Sequence, residues 1–245
     1  LLCIHKDGGE IKMDFELIEQ SLPYLIQGAL ITIEITLMAV GIGFFIGLFA
    51  GIARICRIKA LRIIATIYAD CIRGTPLLVQ IFLIYFALPM LIHTQINPFV
   101  AAVTACAINS GAYVSEIFRA GIQAIDQGQF EAGHSLGLSW WQTMYYIILP
   151  QAYRNVIPTL LSQVITTIKD SSYLANVATI ELMARTKQLL SAASRYNGTG
   201  NVNVSDVFVL FGVAALIYFI INYTLSCVVR TMQKRRKRPV RVTAD

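Results

Sequence analysis

The ionisable and polar side chains capable of chemistry in this sequence stand mostly inside or beside apolar runs. Glu34 sits in ALITIEITLM, nine residues into the first such run. A charge at the centre of a membrane span costs about 2.5–3.5 kcal/mol on insertion scales, so keeping one points to a task. A carboxylate there is either deep enough to hold the ammonium or guanidinium group of a polar solute or shallow enough to be hydrated. Asp170, with Ser171 and Ser172, lies in KDSS, where a later apolar run breaks. Irregular backbone at membrane depth is tolerated only where it lines protein or a wet cavity, which favours a pathway position over a cap of the following helix. Gln80 and Asn109 are neutral polar groups that either face such a path or tie helices together. Glu116 and Arg119, three apart, suit an intrahelical ion pair. Covalent and metal chemistry find no matching pattern. His5, His93 and His134 lack metal-ligand spacing, and Cys3, Cys56, Cys71, Cys106 and Cys227 form no CxxC pair. No Walker A loop, GxSxG elbow or HExxH helix occurs, so no cofactor or metal is expected, and any nucleotide chemistry must come from another chain.

The elements that must position these residues are membrane helices. Apolar residues make up 56% of the 245 positions and charged residues 14%, and the mean hydropathy is +0.62, too lipophilic for a soluble domain. The runs are long and rich in Leu, Ile, Ala and Gly, unlike the short alternations of an outer-membrane barrel, so the class is an all-α integral membrane protein. About five spans are expected, at residues 25–50, 76–91, 96–118, 156–168 (broken and Pro-punctuated) and 207–229. Gly28, Gly41, Gly43, Gly47 and Gly51 in the first span suit close helix packing in lipid. Residues 1–22 form a polar N-terminal segment, 23–230 the transmembrane domain and 231–245 a basic tail. RICRIKALR is a basic connector, and IIATIYADCI after it suits the membrane interface. KRRKR in the tail reads as a stop-transfer and lipid-phosphate anchor rather than a nucleic-acid site. The bias of Lys and Arg places the N-terminus outside and the C-terminus inside the cell. Asn197 in NGT matches a glycosylation acceptor by pattern alone.

One segment does not fit a string of spans. FEAGHSLGLSWWQTMYYIILPQA, residues 130–152, belongs to a cytoplasmic connector at about 123–150 that is long for two adjoining spans and is expected to fold. Residues 130–136 have helix-forming composition, Gly137 can supply a turn that Cβ-bearing residues adopt at a cost, and Ser139 can cap WWQTMYYIIL. Pro150 is expected to end or kink that second helix. Two short helices at an angle would make a knob, with Glu131 and His134 near its first turn.

Glu131, Ala132, Gly137 six residues after the Glu, Ile147, Leu149 and Pro150 resemble the EAA loop of permease subunits of ATP-binding-cassette importers. In that family the loop forms coupling helices that dock into the ATPase subunits. Gly133 stands where the family usually has Ala, and Gly costs up to about 1 kcal/mol against Ala in a helix, so a loosened first helix is expected. RGTPLLVQIF (73–82), NSGAYVSEIFRAGI (109–122) and IKDSSYLANVATIELM (168–183) are similar to signatures of the polar amino acid branch, the histidine/glutamine/arginine permeases. The resemblance spans about residues 28–230 and implies a type I permease fold in a bacterial inner membrane. It also implies two ATPase subunits, a second permease copy or paralogue, an extracytoplasmic solute-binding protein and a polar amino acid substrate. A bundle of about five helices is too few to enclose a solute-sized path alone, in keeping with two bundles rocking about a midplane site.

An ATP-independent channel or secondary carrier is the competing expectation. It would act alone and need no docking knob; co-purification of an unrelated ATPase separates the two. For topology, a membrane-impermeant thiol reagent should label Asn201→Cys but not Gly128→Cys in intact cells. Labelling of Gly128→Cys from outside would invert the arrangement.

Overall fold

The computed structural model describes residues 15–56, 58–196 and 202–236. Most of the polar segment 1–22, Cys3, His5, Asn197, Asn201 and the end of the basic tail lie outside the described residues. The helices are α1 (Phe15–Ile55), α2 (Lys59–Arg73), α3 (Leu77–Phe82), α4 (Leu88–Ile92), α5 (Pro98–Gln123), α6 (Gln127–Ser135), α7 (Trp140–Thr143), α8 (Leu149–Asp170), α9 (Leu182–Tyr196) and α10 (Val204–Arg236). No strand occurs among the described residues, as lipid requires of a chain that must satisfy its backbone within each span. Leu17–Ile55, Pro98–Gln123 and Val204–Gln233 are each long and apolar enough to cross a membrane, and Lys59–Arg73 with Leu77–Ile92 passes only as a bent pair, a broken span or a re-entrant loop. The expected broken span at 156–168 falls within α8, which is unbroken through Pro158 and is not among the helices apolar enough to cross a membrane by themselves, so three such spans and one bent pair stand against the expected five. α1 exceeds its expected span at both ends, taking in Glu19 before it and Arg54 after it.

Two prolines are accommodated in the same way. Leu83–Ala87 and Met144–Ile148 are π-helical turns, each followed directly by Leu-Pro: Leu88–Pro89 and Leu149–Pro150. Proline lacks an N–H and crowds the carbonyl four residues back. The wider turn sends the Leu88 N–H to the Leu83 carbonyl and the Leu149 N–H to the Met144 carbonyl, relieving the α-helical register before the ring arrives. Pro150 therefore does not end its helix: the chain stays helical from Trp140 to Asp170.

The contacts divide the chain into two units. Among the described residues, one gathers those up to Ala39, Leu77–Cys106 and Thr167–Asn222. Its core joins Leu25 and Ala29 of α1, Leu182 of α9 and Ala214 of α10. The other gathers Val40–Pro76, Ala107–Thr166 and the residues from Tyr223 onward. There Gly43, Gly47 and Gly51, four apart on α1, receive α5. A Cβ on Gly47 would lie 2.5 Å from the Val114 side chain and 2.6 Å from the Gly111 carbonyl oxygen. The glycine stripe is thus a helix seam. Met144, Ile148, Ala152 and Ile122 form a second core in this unit, covered by Ile55, Ile125, Phe130, Trp140 and Ile147.

The seam makes a graded prediction. Gly47→Ala should destabilise the detergent-solubilised protein by about 1–3 kcal/mol through overpacking against backbone. Gly41→Ala, whose added Cβ meets nothing within 4 Å, should be neutral or stabilising. Equal thermal midpoints for the two variants would show that the seam does not hold α1 to α5.

Candidate functional site

The residues of the EAA-like segment build a knob from two helices with complete terminal signals. Asp126 caps α6 by accepting from the Gly128 N–H at 2.7 Å. α6 ends in a Schellman motif: the Leu138 N–H donates to the Gly133 carbonyl at 3.1 Å and the Gly137 N–H to the His134 carbonyl at 2.9 Å. Gly137 carries the required left-handed backbone, φ +76°. Two residues later Ser139 opens α7 with a capping box, its Oγ accepting from the Gln142 N–H while Gln142 Oε1 accepts from the Ser139 N–H. The expected cap and turn are both present. α6 begins at Gln127, which places Glu131 directly after its first turn. Glu131, Ala132, Gly137, Leu149 and Pro150 are all exposed. Leu136, Trp141, Tyr145 and Tyr146 add exposed apolar surface. Beside the knob, Ile122, Gln123, Ile125, Gln127, Phe130 and Glu131 line a groove of about 350 Å³. Such a shape can seat in a partner.

Gly133 has a second role that composition hides. It is buried, and a Cβ there would lie 2.5 Å from Thr143 Cγ2 and 2.7 Å from Thr143 Oγ1. The expected loosening of α6 is therefore offset by a close contact with α7.

The expected pathway residues are spread over both units. In the first, Glu34 is exposed and faces a cavity of about 460 Å³ lined also by Ile31, Asn97, Pro98, Phe99 and Thr179. Ala178, at the same cavity, holds φ +29°, a strained value for a residue with a Cβ. Asp170, Ser171, Ser172 and Gln80 do not line it. Asp170 is half-buried where α8 gives way to a 3-10 turn, Ser171–Asn176, and its side chain makes no capping bond to that turn. Ser171 is buried and its hydroxyl donates to the Ile168 carbonyl at 2.8 Å; Ser172 is half-buried. Gln80, in this unit, and Asn109, in the other, are both buried.

Two arrangements escaped sequence reasoning. Glu181, fully buried, accepts from the Met183 and Ala184 N–H groups at 2.8 and 2.7 Å and from the Tyr218 hydroxyl at 3.0 Å, while Thr32 Oγ1 accepts from the Leu182 N–H at 3.2 Å. Glu181 thus fastens the start of α9 to α10. The only local signal was an acidic residue before a helix. In the second unit Glu116 pairs with Arg119 as expected, and also with Arg54 at 2.8 Å and Arg73 at 3.1 Å. The Arg54 side chain is only 7% exposed, and Arg73 also stacks over the Tyr113 ring. In the sequence Arg54 is legible only as the first residue of the basic connector RICRIKALR.

Residues 43–238 match the family model described as the binding-protein-dependent transport system inner membrane component. The glutamine transport system permease protein GlnP of Escherichia coli K12 is 37% identical over 228 residues, 93% of this chain and 99% of that protein. The L-cystine transport system permease protein TcyB of Bacillus subtilis is 36% identical over 227 residues, 92% of each. A crystal structure of an amino acid ABC transporter with histidines superposes with a TM-score of 0.83 at 37% identity, covering 91% of this chain and 99% of that one. The inward-facing MetNI methionine ABC transporter, at 18% identity and a TM-score of 0.65, shares the fold. With its helices, its knob and these likenesses together, the chain belongs to the inner-membrane components of binding-protein-dependent transport systems.

Proposed function

We propose that the chain is the permease subunit of an ATP-binding-cassette importer that brings a polar amino acid, of the basic or glutamine type, into the cytoplasm. The observation that carries this reading is the knob. Its helices are terminated by a Schellman motif and opened by a capping box, and the exposed residues Glu131, Ala132, Gly137, Leu149 and Pro150 are those of the coupling signature. Two ATPase subunits hydrolyse ATP and receive the knob. A second permease, identical or paralogous, completes the path, and a solute-binding protein delivers the amino acid from outside. The N-terminus lies outside and the basic C-terminus inside a bacterial inner membrane. Relatives named for glutamine and cystine support an amino acid substrate of this size. Glu34, at its cavity, holds the cationic end of the substrate, and Asp170 with Ser171 and Ser172 borders its passage.

Coupling is tested at Gly137, where an added Cβ would meet nothing within 4 Å and only the backbone angle excludes side chains. Gly137→Val should reach the membrane at normal levels and assemble, yet lose ATP hydrolysis stimulated by the loaded binding protein. Gly137→Asn, which tolerates the left-handed region, should keep most of it. Full stimulation in Gly137→Val would reduce the knob to a connector.

Passage is tested by uptake into vesicles. Glu34→Gln should impair uptake of basic amino acids far more than of glutamine with binding-protein affinity unchanged, because a desolvated cation needs a fixed opposite charge. Asp170→Asn should impair all substrates. Wild-type rates in both variants would remove the site while leaving the family assignment standing.

A further inference from the structure

We infer that Gly133 and Thr143 form an interlock that fixes the angle between α6 and α7, and that through it the knob moves as one piece. The inference rests on the reading of the knob as the element that docks into the ATPase subunits. Gly133 touches both sides of the bend. Its carbonyl accepts the Leu138 N–H at 3.1 Å, closing the turn after α6. Its missing Cβ leaves the volume that Thr143 fills, with Cγ2 2.5 Å and Oγ1 2.7 Å from where that Cβ would stand.

Thr143 is fully buried, and its hydroxyl has no hydrogen-bond partner among the described residues. The neighbours are rigid: Met144 and Ile148, which follow it, are core residues, and the turn Met144–Ile148 is fixed by its own π-helical bonding. A methyl group added at Gly133 cannot be absorbed by the free end of a flexible chain. It must push α7 away from α6 or unwind the turn between them.

Helix propensity and packing then disagree in sign. Ala in place of Gly favours α6 in isolation. In the folded knob it forces the two helices apart. Gly133 and Thr143 are therefore positioning residues for coupling, acting through the exposed faces of α6 and α7 rather than by touching nucleotide or substrate.

The test is a double-mutant cycle in the assembled complex in lipid vesicles, reading basal ATP hydrolysis and hydrolysis stimulated by the loaded solute-binding protein. Gly133→Ala should leave membrane level, complex assembly and basal hydrolysis unchanged and cut the stimulated rate about tenfold, in the range an overpacking penalty corresponds to. Gly133→Ala with Thr143→Ala, which removes the two nearest atoms and leaves Thr143 Cβ at 3.2 Å, should recover stimulation to within about twofold of the wild type, since directly touching residues are non-additive. Wild-type stimulation in Gly133→Ala overturns the interlock, as does a double variant no better than Gly133→Ala. Gly137→Val measured alongside separates the failures. If it too is fully stimulated, the docking reading falls; if it is inactive while Gly133→Ala is normal, only the interlock does.

Discussion

Within a bilayer there is no water to take up a backbone N–H or C=O left over when a helix bends or stops, and each such group costs several kcal/mol if abandoned. That constraint decides where this chain can be irregular and what its polar side chains are used for. The π-helical turn before Pro89 carries the helix past the proline, sending the Leu88 N–H to the Leu83 carbonyl. At the end of α8 the chain tightens into a 3-10 turn while Ser171 donates back to Ile168. At the start of α9, Glu181 takes two backbone N–H groups and Thr32 takes a third. Several polar residues around the breaks are thus committed to the backbone first.

Holding the helices together is a separate problem, because lipid tails are as apolar as leucine and give no hydrophobic incentive for helices to associate. In the second unit two devices answer it. The stripe Gly43, Gly47 and Gly51 lets α1 and α5 meet backbone to backbone, so dispersion over a long seam replaces the hydrophobic effect. Near the end of the same helix, Arg54 is almost completely buried against Glu116. Removing one partner of such a pair leaves a charge stranded, so the pair specifies an arrangement more than it adds stability. Ile55, the next residue, packs on the core beneath the knob. One helix end therefore takes part in both the ionic cluster and the core beneath the knob.

What could be read from the sequence follows the range of each interaction. Ser139 and Gly137 were legible because a capping box and a Schellman turn are closed within a few residues. The pair Glu116–Arg119 was legible for the same reason, being one turn apart on one helix. Arg54 and Tyr218 were not, since their partners lie 62 and 37 residues away and nothing in the local pattern names them. Pro150 misled because proline chemistry states only that an α-helical bond is lost. Whether the helix stops or widens depends on the packing of Met144 and Ile148 in the core. Composition located Glu34 in a span, but only the fold put it at a cavity with Asn97 and Thr179, apart from Asp170.

The two glycines of the knob show why residue type alone underdetermines structure. Gly137 is needed for its backbone: φ is +76° and the space around it is open. Gly133 is needed for its volume: its backbone is helical, and the space where a Cβ would stand is already filled by Thr143. A motif that assigns the first glycine and treats the second as a departure sees only conformational cost, up to about 1 kcal/mol against alanine. Once α7 is in place, the sign reverses, because the methyl group that would favour the isolated helix has nowhere to go. Closing α6 at its end while seating α7 on its side gives two short helices the stiffness that neither has alone.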